Sequence, residues 1–436
     1  MLKRRMICTA VMLALCLTGC GNAYNDTAPT EFAAYDTTAD GNTNAGANTG
    51  IAAKGVYETD ANFADNTIYD YEDDNNIVVG QAVETPDNDN IRELPAAGQL
   101  TAGSWSDNEN WGFFSNLISS GRLSYPLFGL DPTKRILVNV KTKDGKAVPN
   151  AAVELVTEKD EVIWKGVTDY MGRVYLINKN DNENIFVKMA SSKEKQPVVL
   201  SQSHPNNRYD YEQAIIAAYS AQAEIVIDGK GEHYKNADIM FIIDSTGSMY
   251  DEMNFLQSEF TEITNRIGNE NTRYSVNFYR DEGDDYLTKC SRFSSDVSEV
   301  QEILNNESAA GGKGQIAAVA QALDETMNAD DWSDDSVKLA FLIFDAPPYK
   351  EAADSLAQSV ETAAAKGIRL IPVVGSGSDS DVEMFGRAIA IETGGVYVFL
   401  TDDSGIGESH EEPIIGEHEV KPLVDIITDI IKEYRQ

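Results

Sequence analysis

Basic side chains, histidine and cysteine are all scarce in this chain. Lys and Arg together number 35 against 71 Asp and Glu, a formal net charge of −36 over 436 residues. Such a surface argues against nucleic acid and anionic lipid head groups as partners, and for cations or basic surfaces. Histidine occurs four times. His204, His233, His410 and His418 show no spacing that would supply a base to Ser248, which lies in Thr-Gly-Ser-Met-Tyr and not in Gly-x-Ser-x-Gly. The glycine stretch Gly311 to Gly314 lacks the Gly-x-x-x-x-Gly-Lys-Ser/Thr order of a phosphate loop, so Lys313 is not expected to hold a nucleotide. Nothing here points to an enzyme. Apolar residues are not lacking: at 42% they suffice for two or three cored domains.

Three of the four cysteines fall in the first twenty residues. That stretch has a basic start, an apolar run from Met6 to Leu17, and then Leu17-Thr18-Gly19-Cys20. The run is too short to span a membrane and reads as a secretory signal. Its last four residues resemble the lipobox of bacterial lipoproteins, whose cysteine becomes the lipidated first residue. The resemblance implies a chain held by Cys20 to the outer face of a membrane, extracytoplasmic, anchored by lipid alone. Cys8 and Cys16 would leave with the signal. Cys290 would then stand alone, with no intramolecular disulfide and no cysteine metal site.

Residues 21–99 are rich in Asn, Asp, Thr, Ala and Gly, with Lys54 and Arg92 the only basic side chains. Such a segment buries too little apolar surface to offset its ordering entropy, and a disordered acidic tether is expected. Residues 100–130 crowd Trp105, Trp111, Phe113, Phe114, Leu117, Ile118, Leu127 and Phe128 together. These must pack against something, and the segment reads as an aromatic lead-in. Over 131–200 the apolar period is two: Ile136, Val138 and Val140, then Val153 and Leu155, then Val174 and Leu176, then Ile185 and Val187, with turn residues at Asp144-Gly145 and Asp169 to Gly172. A small all-β sandwich follows from this pattern. Lys143 to Leu155 and Thr168 to Val174 resemble the carboxypeptidase regulatory-like, transthyretin-like domains, which are accessory modules. Residues 201–237 read as a connector.

From Asp238 strands and helices alternate to the end of the chain. Ile239 to Ile243 is a strand buried on both faces, as in a parallel sheet, and it stops at Asp244. Met249, Met253, Leu256, Phe260, Ile263 and Ile267 then mark one face of a helix closed by Gly268. Leu339 to Phe344 is a second buried strand ending on Asp345, and Ile368 to Val374 and Val396 to Leu400 are two more. The reading for 238–436 is a doubly wound, mostly parallel α/β domain. Asp244 and Asp345 should share the edge at the carboxyl ends of the strands, where open α/β sheets bind ligands. Asp244, Thr246 and Ser248 place three oxygen donors at alternate positions, a set that suits a hard cation such as Mg²⁺. The competing role for Asp and Ser is capping the helix.

Asp-Ser-Thr-Gly-Ser-Met at 244–249, Phe278-Tyr279-Arg280-Asp281, Leu342 to Pro348 and Thr393 to Leu400 resemble a bacterial branch of the von Willebrand factor A family. The resemblance implies a Rossmann-like fold and a metal-ion-dependent adhesion site. Asp244, Thr246, Ser248 and Asp345 match its ligands for Mg²⁺, Mn²⁺ or Ca²⁺. The second-loop Thr or Asp has no counterpart in Gly311-Gly312-Lys313-Gly314-Gln315-Ile316. Lys313 and Gln315 occupy that loop, and the Lys313 ammonium could stand where the ion sits in relatives. A haloacid-dehalogenase-type phosphatase would need an aspartate at Ile242. The function implied is non-enzymatic recognition of a protein partner, through an Asp or Glu of that partner or a basic surface on it. The alternative is a structural or assembly module of the cell envelope with a degenerate, metal-free site.

Overall fold

The computed structural model describes residues 100–179, 184–200, 221–229, 231, 233–268, 270–312, 318–401 and 412–436. Cys20, the expected tether at 21–99, Lys313, Gln315, Asp402 and Asp403 lie outside the described residues.

A strand, β1 (Thr101–Trp105), and a helix, α1 (Trp111–Ser119), come first. Eight strands follow: β2 (Arg135–Thr142), β3 (Ala152–Thr157), β4 (Val162–Val167), β5 (Arg173–Ile177), β6 (Ile185–Met189), β7 (Lys195–Pro197), β8 (Val199–Leu200) and β9 (Ala221–Ile227). They form two four-stranded sheets, ordered β5-β2-β9-β8 and β4-β3-β6-β7. Val138, Leu155, Trp164, Leu176 and Val187 meet in one core between them. Alternation sends every second side chain inward. The segment 201–237 is therefore not merely a connector: its residues 221–227 pair in parallel with β2, Val138 opposite Ala223, and carry Ala223 and Ile225 into the core.

Next come β10 (Asn236–Asp244), α2 (Tyr250–Ile267), β11 (Thr272–Tyr279), the short edge strand β12 (Thr288–Lys289), α3 (Val297–Asn305), α4 (Val319–Met327), β13 (Ser336–Phe344), α5 (Ala353–Lys366), β14 (Ile368–Val374), α6 (Ser380–Thr393), β15 (Tyr397–Leu400), β16 (Val420–Pro422) and α7 (Leu423–Tyr434). The sheet is mixed but mostly parallel, in the order β12-β11-β10-β13-β14-β15-β1-β16. β10 pairs in parallel with β11 and β13, so it is central and must be apolar on both faces. Ile239, Phe241 and Ile243 face one apolar layer with α2 and α7, and Met240 and Ile242 face another with α4, α5 and α6. Helices on both faces make the architecture doubly wound and Rossmann-like.

The lead-in belongs to this sheet and does not precede the domain. β1 runs antiparallel between β15 and β16, with Ala102 opposite Leu400 and Lys421. Arg387 of α6, fully buried, grips the turn after β1: its guanidinium donates to Asp107 at 2.8 and 2.6 Å, to Glu383 at 2.8 Å and to the Ile414 carbonyl at 2.8 Å. Trp111, Phe114 and Leu117 of α1 pack against Ile391. The all-β unit docks against the amino ends of the parallel strands, beside the turn after β1: Arg369, at the start of β14, donates to the Val167 carbonyl at 2.6 Å, Tyr170 to Glu433 at 2.6 Å, and Arg135 to Asn108 Oδ1 at 2.7 Å.

Candidate functional site

The register sets the site. Asp244 lies opposite Tyr279 of β11, and Ile243 opposite Ile343 of β13, so the chain leaving β13 carries Asp345 past the same edge. Asp244 is fully buried. Its Oδ1 accepts the Thr246 amide at 2.9 Å, and its Oδ2 is buried with no hydrogen-bond partner among the described residues. The Thr246 and Ser248 hydroxyls stand 3.3 Å apart, Thr246 buried and Ser248 exposed. A single 3₁₀ turn, Gly247–Met249, joins the loop to α2. Neither that turn nor α2 has a side-chain hydrogen bond at its N-cap, so Thr246 and Ser248 are not spent on capping. Ser245 points the other way, donating to the Tyr279 carbonyl at 3.0 Å and meeting the Tyr286 hydroxyl at 2.6 Å.

The electrostatics are those of a crowded anionic site. Burial, reinforced by Asp345, pushes the Asp244 carboxyl up to about 7. A third carboxyl, Glu252 of α2, is buried beside them and is likewise pushed up to about 7, mainly by burial, with the Ser376 bonds opposing and Asp345 adding to the rise. The sequence reading passed over Glu252, although it carried a signal. Glu252 lies three residues after Met249 and four before Leu256, a charge on the apolar stripe of the helix.

The second loop closes on the first. Ala310 donates to the Ser245 carbonyl at 3.0 Å, and Gly247 to that of Gly311 at 3.3 Å. Gly311 and Gly312 have φ of 80° and 72°, and a Cβ on Gly312 would stand 2.8 Å from that of Thr246. Only glycine allows this approach at that φ. The Asp284 carboxylate holds the loop by accepting the Gly312 amide at 2.9 Å. Two of the acids on this edge already have structural work. Asp379 caps α6 by accepting the amides of Asp381 and Val382, and Asp281 accepts the Tyr349 hydroxyl.

Two carboxylates, that of Asp244 with an orphaned buried oxygen, and two hydroxyls form a hard donor set that fits a small divalent cation. Among the described residues no three His, Cys, Asp or Glu side chains stand close enough to hold a metal by themselves, so hydroxyls and water would have to complete the shell. A cleft of about 500 Å³ lies at the opposite end of the sheet, between Tyr170, Lys338 and Arg369.

Residues 238–411 match the family described as von Willebrand factor type A domain. No curated protein matches the chain. Solved structures similar to it include the conserved hypothetical protein BatB from Bacteroides thetaiotaomicron, 12% identical over 45% of this chain and 97% of that one, with a TM-score of 0.32.

Proposed function

The chain carries a von Willebrand factor type A domain over residues 238–411, a domain that commonly mediates protein–protein interaction; from that premise we propose that it is a non-enzymatic surface lipoprotein that recognises a protein partner through a metal-ion-dependent adhesion site. Asp244, Thr246, Ser248 and Asp345 would hold the ion. The observation that carries this reading is the buried Asp244 Oδ2, left without a hydrogen bond among the described residues, beside a second carboxylate and two hydroxyls. A buried anion persists only when something compensates it, and a divalent cation from solvent would do so. Once bound, the ion would supply an electrophilic centre able to take a carboxylate oxygen of the partner. The chain's own contribution is to hold the four donors at the rim of a rigid sheet. Lipid at Cys20 would fix the protein to the outer face of the membrane, and the four-stranded sheets, with their likeness to carboxypeptidase regulatory-like modules, would serve as a stalk.

One observation favours the metal-free alternative: Ala310, Gly311 and Gly312, which among the described residues of the second loop touch the first loop, carry no side-chain oxygen. Capture of surface proteins by the purified chain, with Mg²⁺ and with chelator, separates the two. The adhesion reading requires partners that elute with chelator and are not captured by Asp244→Ala. Partners held equally under both conditions would favour the envelope-module reading.

A further inference from the structure

We propose that Glu252 is a positioning residue of this site, which fastens the Gly375–Ser378 loop to the start of α2, beside the Asp345 loop, and places a third negative charge toward the ion from outside its direct ligands. This rests on the adhesion-site reading above. Glu252 is one turn into α2 and 2% exposed. Its Oε1 accepts both the amide and the hydroxyl of Ser376, each at 3.0 Å, while its Oε2 is buried with no hydrogen-bond partner among the described residues. Gly375 is the point where the elements meet. Its amide donates to the Phe344 carbonyl at 2.8 Å, and a Cβ there would lie 3.1 Å from Glu252 Oε1, 3.4 Å from Met249 Sδ and 3.5 Å from the Asp345 Cβ. Three segments are thus packed around one carboxylate with no spare volume: the start of α2, the loop after β13 and the loop after β14.

The chemistry of the side chain points beyond packing. A glutamine carbonyl could accept the two Ser376 donors as well as a carboxylate oxygen does, without the cost of burying a charge. A carboxylate here is accounted for by a cation that it faces. The same chain lacks a second-loop oxygen ligand within Ala310 to Gly312, and a third carboxylate would restore part of the missing negative charge. Because no three acids among the described residues converge to hold a metal directly, Glu252 acts at a remove, through the field it exerts and through the loop that it ties to α2.

The test is calorimetric titration of the purified full chain with Mg²⁺ and with Mn²⁺, for wild type, Glu252→Gln and Asp244→Ala, together with the Tm of each protein without metal. Glu252→Gln is expected to lower affinity at least tenfold while its metal-free Tm stays at or above that of wild type, since the Ser376 bonds survive and a buried charge is removed. Wild-type affinity in Glu252→Gln, with binding lost in Asp244→Ala, would overturn the role of Glu252 and leave the adhesion site standing. A fall in affinity accompanied by an equal fall in metal-free Tm would reduce Glu252 to a structural residue. Absence of binding by wild type would overturn both.

Discussion

Asp107→Asn should destabilise the α/β domain by about 3–5 kcal/mol, the range for removing one partner from a buried ion pair. Arg387 is fully buried, and two of its four hydrogen bonds, at 2.8 and 2.6 Å, go to Asp107. Asparagine keeps the volume but turns one acceptor into a donor that faces the guanidinium, and it leaves Glu383 as the only anion in contact with Arg387. The Trp105 indole, which donates to Asp107 Oδ1 at 3.0 Å, is affected as well. For a domain of about 200 residues each kcal/mol moves Tm by about 2–4 °C, so the expected fall is about 6–20 °C. Urea unfolding monitored by tryptophan fluorescence gives the free energy directly. Asp107→Leu combined with Arg387→Met and Glu383→Leu should recover much of the loss, because replacing all three buried charges by apolar side chains strands none of them. A loss under 1 kcal/mol for Asp107→Asn would refute the claim that the lead-in is an integral part of the α/β core.

Glu392 is fully buried, and burial pushes its carboxyl up to about 8 against an ordinary 4.5. The folded state then keeps a proton that the unfolded state has lost, so this contribution is full below pH 4.5 and declines as pH rises toward 8. Wild type should lose up to about 3–5 kcal/mol relative to Glu392→Gln across that window, and parallel stability curves for the two proteins would contradict this. Gly312→Ala should weaken divalent-ion binding at least tenfold with little change in Tm, because the added methyl meets Thr246 at the rim and not in the core; unaltered titration curves would show that the second loop yields freely. Cys20→Ala should move the protein from the membrane to the soluble fraction, and membrane retention of that variant would remove the lipid anchor from the account.

The strands around the site were legible because a central parallel strand must be apolar on both faces, and Ile239 to Ile243 and Leu339 to Phe344 are. Asp244 and Asp345 followed as the residues that end them. Strand β1 was not legible, since Thr101 to Trp105 is five residues of weak pattern whose partners lie some 300 positions away at Leu400 and Val420. The crowded tryptophans signalled packing without saying against what. β9 could have been read, because Ala221, Ala223 and Ile225 alternate with Gln222 and Glu224. The sequence pairs Asp296 with Glu299 three residues on at the start of α3, the spacing of a capping box, and the structure forms half of one. Asp296 accepts the amides of Ser298 and Glu299, but Glu299 accepts the Ser294 hydroxyl and does not reach back to the Asp296 amide. Glu252 was legible only as a charge on the apolar stripe of α2, a position that does not say which loop it meets.

The most direct test of the central claim is the divalent-ion affinity of the purified chain, measured by calorimetry with Mg²⁺ and Mn²⁺ at pH 8, where the Asp244 carboxyl is ionised. The account predicts one saturable ion per chain, a Tm that rises with ion concentration, and loss of both in Asp244→Ala and Asp345→Ala. An ion-independent Tm, or equal binding by wild type and both variants, would contradict it.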